Sequence, residues 1–227
     1  MTAIPNGLSG VIARKNAGGG SSSITIDSTS STWAGSSTTP SFSNTQGTVT
    51  DGYVLLTMSY WSGGHYIDSC TYDGVSLASV ASGSNGGSAN VKVWGAALGS
   101  NSSGSKTVSI TMDSSTQEIA VGVVVFSGVN QTTPVGTVVN MQGSTLGTYD
   151  LDVTASSGDV IVGQGATFSS LITPSAGQTV QWYENAGGSN TDGHCDTKPA
   201  VSSTTNIEYA FSANKPYIVM GIPILQL

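Results

Sequence analysis

The stretch KTVSITMDS (residues 106–114) decides the fold class. Successive side chains of an extended chain point to opposite faces. Val108, Ile110 and Met112 therefore share one face, and Thr107, Ser109, Thr111 and Asp113 share the other. That alternation belongs to a strand with one packed side and one wet side. A few residues on, EIAVGVVVFSGV (118–129) breaks the pattern instructively. Ile119, Val121, Val123 and Val125 form one apolar face, but Ala120, Val124 and Phe126 make the other apolar as well. A strand without a wet side is central and covered on both faces. GYVLLTMSYW (52–61) reads the same way.

Working outward, SITID, SCTYDGVSLASV, NVKVWGAAL, GTVVNM, YDLDVTA, DVIVGQGATF, QTVQWYEN, NIEYAFS and YIVMGIPIL are further strand candidates. SGGH, GSNGGS, GSNSSGSK, NQTTPVG, SSGD and NAGGSNTDG separate them with turn-forming residues. No segment carries helical periodicity. Ten to twelve short strands over some 200 residues predict an all-β fold, a two-sheet antiparallel sandwich with jelly-roll-like connectivity. The sequence displays no internal repeat, so residues 21–227 are expected to form a single β-sandwich domain.

Composition narrows the function classes. Charged residues make up 8% and hydrophobic residues 37%, so the chain can fill a core while its polar surface comes from Ser, Thr, Asn and Gln. Six Lys and Arg against thirteen Asp and Glu leave a net charge of −7. That balance cannot supply the basic field that nucleic acid or an anionic membrane requires. No apolar run reaches the length of a transmembrane helix. Two distant cysteines, Cys70 and Cys195, are no disulfide framework and are expected as free thiols, with a single bridge as the alternative.

Residues 1–20 read as an extended N-terminal arm ending in a Gly/Ser joint, NAGGGSSS. Ile4, Leu8, Val11 and Ile12 fit neither helical nor strand spacing, and Pro5, Gly7 and Gly10 break a helix. Arg14 and Lys15 follow the apolar residues instead of preceding them, which is the wrong order for a signal peptide. They give the arm a formal charge of +2 with no acidic residue. Extended, twenty residues reach about 66 Å at roughly 3.3 Å each. A domain of this size has a radius of gyration of about 17 Å. The arm is therefore expected to reach a neighbouring polypeptide and bury its apolar side chains there.

FSGVNQTTPVG (126–136), YDGVSLASV (72–80), VWGAALGSNSSGSKTVSITM (93–112) and SSGDVIVGQGAT (156–167) together resemble a Ser/Thr/Gly-rich β-sandwich family of phage structural proteins and large bacterial surface proteins. The resemblance covers roughly residues 45–185 and rests on turn-and-strand motifs, which specify a fold more than an activity. It implies a structural or adhesive module and brings no catalytic residues. Joined to the missing export signal, it leads to the expectation of a phage virion protein that assembles in the host cytoplasm. Such a protein would decorate or cement the capsid exterior, with its arm on the major capsid protein or on neighbouring copies in a homo-oligomer, a trimer being favoured. The alternative is a carbohydrate- or receptor-binding module of a tail fibre or bacterial surface adhesin.

Chemistry-bearing clusters are few. TDGHCDT (191–197) holds Asp192, His194, Cys195 and Asp196 and is expected as a polar, turn-rich loop. A zinc site there would need Cys70 or His65 as well, and a calcium loop through Asp192 and Asp196 has no recognised spacing. Asp150 and Asp152 share a strand face, the spacing of solubilising residues more than of an acid–base pair. Asp68, Asp73 and Glu184 add no pair. No nucleophile elbow or phosphate-cradling loop is present, so no enzyme, cofactor or metal is expected. Of Trp33, Trp61, Trp94 and Trp182, Trp33 is expected in a Ser/Thr-rich loop, STSSTWAGSSTTP, where burial is least expected, and it is the candidate for stacking on a sugar.

Overall fold

The computed structural model describes residues 23–35, 37–60, 67–86, 89–113, 118–168, 170, 172–175, 177–185 and 191–227. The arm, with Ile4, Leu8, Val11, Ile12, Arg14 and Lys15, lies outside the described residues, as do Trp61 and His65.

The first half comprises β1 (Thr25–Ala34), β2 (Ser41–Gln46), β3 (Val49–Tyr60), β4 (Ile67–Tyr72), β5 (Val75–Ser76), β6 (Ala78–Asn85), β7 (Ala89–Asn101), β8 (Gly104–Met112) and β9 (Ile119–Ser127). The second comprises β10 (Val139–Gly143), β11 (Gly147–Thr154), β12 (Val160–Phe168), β13 (Ile172–Pro174), β14 (Thr179–Asn185), β15 (Thr191–Pro199), β16 (Thr204–Phe211) and β17 (Tyr217–Ile224). The all-β antiparallel sandwich expected from the sequence is present, built from four sheets in place of two. The stretch read as one strand, SCTYDGVSLASV, is folded back on itself. Asp73 (φ 50°) and Gly74 (φ 81°) form a two-residue turn that pairs Tyr72 with Val75. Positive φ at both turn residues is what a tight hairpin needs.

The first inner sheet runs β1-β9-β3-β7-β6 and its outer sheet β2-β8-β4-β5. With β6 set aside, the order is first-eighth-third-sixth over second-seventh-fourth-fifth, the connectivity of a jelly roll. The second half repeats it strand for strand: β10-β17-β12-β15-β14 inside and β11-β16-β13 outside, with no counterpart of β5. The repeat lies in the connectivity, and the sequence does not display it.

The two inner sheets face each other, which makes four layers and three cores. Val54, Leu56, Met58, Val121 and Val123 pack outward on Ile67, Tyr72, Val108 and Ile110 of the first outer sheet. Tyr53, Leu55, Val124 and Phe126 pack inward on Val162, Ala166, Met220 and Ile222 of the second half. Ile161 and Val219 then meet Leu151, Val153 and Ile207 of the second outer sheet. Strands β3, β9, β12 and β17 are accordingly buried on both faces over nearly their whole length, the reason their sequences do not alternate.

Contacts between the halves are reciprocal. β1 lies on β14 as β10 lies on β6, β9 on β15 as β17 on β7, and β3 touches β12 between them. Exchanging the halves maps each contact onto another, as in an isologous two-fold interface.

Candidate functional site

The densest chemical cluster is not a loop. TDGHCDT is β15, a strand of the second inner sheet, and Thr191 to Thr197 are all buried. NAGGSNTDG drew the turn reading through its Gly, Asn and Asp content. The two-residue spacing of Asp192, His194 and Asp196 nevertheless places them on one strand face. Cys195 points the other way, into the core between the halves. Cys70 belongs to the first half's own core. Both thiols are free, and with separate cores around them they neither pair nor join one ligand set. Among the described residues no group of three or more potential ligands is close enough to hold a metal ion.

Asp196 organises the cluster. Its Oδ2 accepts from Tyr209 Oη at 2.8 Å and stands 3.0 Å from His194 Nε2. Its Oδ1 accepts from Gln178 Nε2 at 3.0 Å. Gln178 Oε1 in turn accepts from the Glu208 backbone N–H at 2.8 Å and from Ser175 Oγ at 3.1 Å. The His194 and Tyr209 rings meet edge to face, with centroids 6.1 Å apart. Room for the carboxylate and the phenol comes from Gly163, because a Cβ there would overlap Tyr209 Oη. The sequence reading missed Gln178, Tyr209 and Gly163, which join the site only through sheet pairing and layer packing. The D-x-H-x-D spacing was the signal available.

Burial sets the electrostatics. It pushes the Asp192 carboxyl up to about 6, opposed by a hydrogen bond from the Ser170 backbone. Burial, then the nearby Asp196 carboxylate, lifts the Tyr209 phenol well above its ordinary value. Burial also raises Cys70 to about 12, against the pull of Lys92, and drives Cys195 well above the thiol range. Thiols so protonated and enclosed are poor nucleophiles. Chemically, the β15 cluster is a polar clasp: both Asp196 oxygens are engaged by neighbouring side chains.

The remaining candidates are dispersed. Asp150 and Asp152 lie on the exposed face of β11, where Asn206 Nδ2 donates to both at 3.0 and 3.1 Å. Asp73 pairs with Lys106 at 3.1 Å, Glu184 accepts from Ser31 Oγ, and Asp68 is exposed on β4. Trp182 is buried between the inner sheets, where Gly122 and Gly193 clear its indole. Trp94 is half-buried against the first core. Trp33 is in β1, not in a loop, and is 39% exposed with its ring over Gly35. No protein-family model, curated protein or solved structure matches the chain.

Proposed function

We propose that this protein is a structural component of a phage particle, a decoration or cement protein on the capsid exterior, attached through residues 1–20. The observation that carries the reading is the four-layer stack. Two jelly rolls are joined through inner sheets buried on both faces, and the buried Asp196 of β15 is held by His194, Tyr209 and Gln178. Interiors packed in this way are stiff and transmit load. Jelly rolls recur in viral shells, an analogy at the level of fold alone. Attachment through the arm fits its +2 charge and apolar residues, set on a body of net charge −9. The major capsid protein and neighbouring copies are its partners in this reading, in a homo-oligomer such as a trimer, and the mature particle is its location.

Co-sedimentation with purified particles lacking the protein tests this. The full chain should bind to saturation. A chain lacking residues 1–20 should bind about tenfold or more weakly while keeping its β-sheet circular dichroism. Equal binding by the truncated chain would remove the reading. The half-exposed Trp33 favours a second reading, a carbohydrate- or receptor-binding module of a tail fibre or surface adhesin. Specific signals on a glycan array, lost in Trp33→Ala, would favour it over the capsid role, and a silent array would count against it.

A further inference from the structure

The two flanks of the stack are related by the internal two-fold, yet they differ. On one flank β6 lies over β10, a strand of only five residues. Asn85 Nδ2 bridges the layers there to the carbonyls of Gly143 and Tyr217. No large apolar side chain is exposed on either strand. On the other flank β1 lies over β14, bridged by Thr29 Oγ1 to the Gln181 carbonyl (3.1 Å) and Ser31 Oγ to Glu184 (2.6 Å). This flank exposes Ile26 (37%), Trp33 (39%) and Val180 (49%).

Apart from its bulge at Asp27, β1 is poorly defended as an edge. Natural edge strands are kept short or carry Lys, Pro or inward charges to deter pairing. β1 has ten residues, no Lys and no Pro. Its one charge, Asp27, turns to accept the Gly47 backbone N–H at 2.8 Å. Sheet order leaves the outer side of β1 without a partner strand in the described part of the sheet.

From this asymmetry we infer that the β1/β14 flank is a strand-accepting edge whose occupant is the arm, residues 1–20, of a second copy of this chain. The inference rests on the reading above, in which the arm binds a neighbouring polypeptide. Strand addition satisfies the backbone groups of both edge and arm, and pockets for alternate side chains set specificity. Ile4, Leu8, Val11 and Ile12 supply the apolar cover that Ile26 and Trp33, which share one face of β1, lack. Charge agrees: β1 and β14 carry Asp27 and Glu184 and no base, whereas the arm carries Arg14 and Lys15 and no acid. A second copy is preferred to the chain's own arm because β1 is bulged against β9 between Ile26 and Ser28, close to the point where the arm begins, and a bulge bends the strand that carries it. An arm folding straight back meets that irregularity first. One arriving from a neighbour can pair along the regular part, Ser28 to Ala34.

Complementation between two full-length variants tests this. Leu8→Glu/Ile12→Glu disables the arm, and Thr29→Lys/Trp33→Lys, at the exposed positions of the stretch Ser28 to Ala34, disables the flank. The two flank positions are exposed, and melting temperatures check that both variants fold. By light scattering after size exclusion, the wild type should run as a multiple of one chain. Each variant should self-associate about 100-fold or more weakly, and an equimolar mixture should recover a two-chain complex. A wild type that stays a single chain, flank substitutions without effect, or a mixture that fails to associate would each overturn the inference. A single-chain wild type that still saturates capsids would overturn it while leaving the capsid role standing.

Discussion

The two jelly rolls share connectivity but solve the space between their sheets differently. In the first, β5 extends the outer sheet and the core beneath is apolar, lined by Leu56, Met58, Val121, Val123, Val108 and Ile110. Its polar groups gather at the margin: Tyr72 Oη donates to Gln46 Oε1 at 2.9 Å, Asn44 Nδ2 donates to Tyr72 Oη at 3.0 Å, and Lys106, buried on the core face of β8, reaches the exposed Asp73 at 3.1 Å. In the second, no strand takes the place of β5, and the outer sheet ends at the three-residue β13. The face of β15 is met by Gln178 and Tyr209 instead, and it carries Asp192, His194 and Asp196. Where apolar cover runs out, burial is possible only for polar groups that satisfy one another.

The sharpest way to break this contrast is Asp196→Ala. It leaves the Tyr209 hydroxyl, the His194 ring and the Gln178 amide without their buried acceptor. A loss of about 3–5 kcal/mol in denaturant unfolding is expected. A loss under about 1 kcal/mol would mean the clasp does not hold the second pair of sheets together.

Asp192 should give the next largest effect, and with the opposite sign. Burial pushes its carboxyl up from 3.8 to about 6, so the fold favours the protonated form. Stability from this group is full below about 3.8 and is lost as pH rises to about 6, amounting to about 3 kcal/mol at most. Asp192→Asn keeps an acceptor for the Ser170 N–H and does not titrate. The variant should therefore melt above the wild type at pH 7, and the gap should close towards pH 4. A gap independent of pH would contradict the assignment.

The inner interface offers a comparison of its own. On one flank Trp182 projects from edge strand β14 into the space at Gly122 of β9. On the other, Ile218 and Met220 project from β17 over Gly83 of edge strand β6. Knob and hole have changed places between the halves. A methyl group at Gly122 meets a rigid indole, whereas at Gly83 it meets the flexible ends of Ile218 and Met220. Gly122→Ala should cost about 2–3 kcal/mol and Gly83→Ala about 1 kcal/mol, read from chemical unfolding. Equal costs would remove the distinction. Smallest of all, Tyr72→Phe deletes two neutral hydrogen bonds at the margin of the first core, to Gln46 and from Asn44, and should cost about 1 kcal/mol because Asn44 Nδ2 keeps Ser28 Oγ as an acceptor.

Much of the local structure was legible. KTVSITMDS became β8, with Val108, Ile110 and Met112 buried and Thr107 and Thr111 exposed. EIAVGVVVFSGV became β9, covered on both faces. Legibility failed where composition competed with spacing. Asp, Gly and His in β15 argued for a turn, and only the sheets on either side of that strand overruled them. The Asp73-Gly74 hairpin was passed over because apolar and aromatic neighbours on both sides read as a single strand.

The sequence by itself determined that the chain is all-β, which faces of its strands are apolar, and that certain strands must be covered twice. Those properties follow from the two-residue period of an extended backbone, which is local. Only the tertiary structure decided what supplies the second cover: another jelly roll, related to the first by a two-fold and fitted to it by exchanged knobs and holes. Alternation says that a face must be buried and is silent about the partner. Because complementary packing constrains volumes across the interface and not residue identities, the two halves can share a topology without sharing a recognisable sequence.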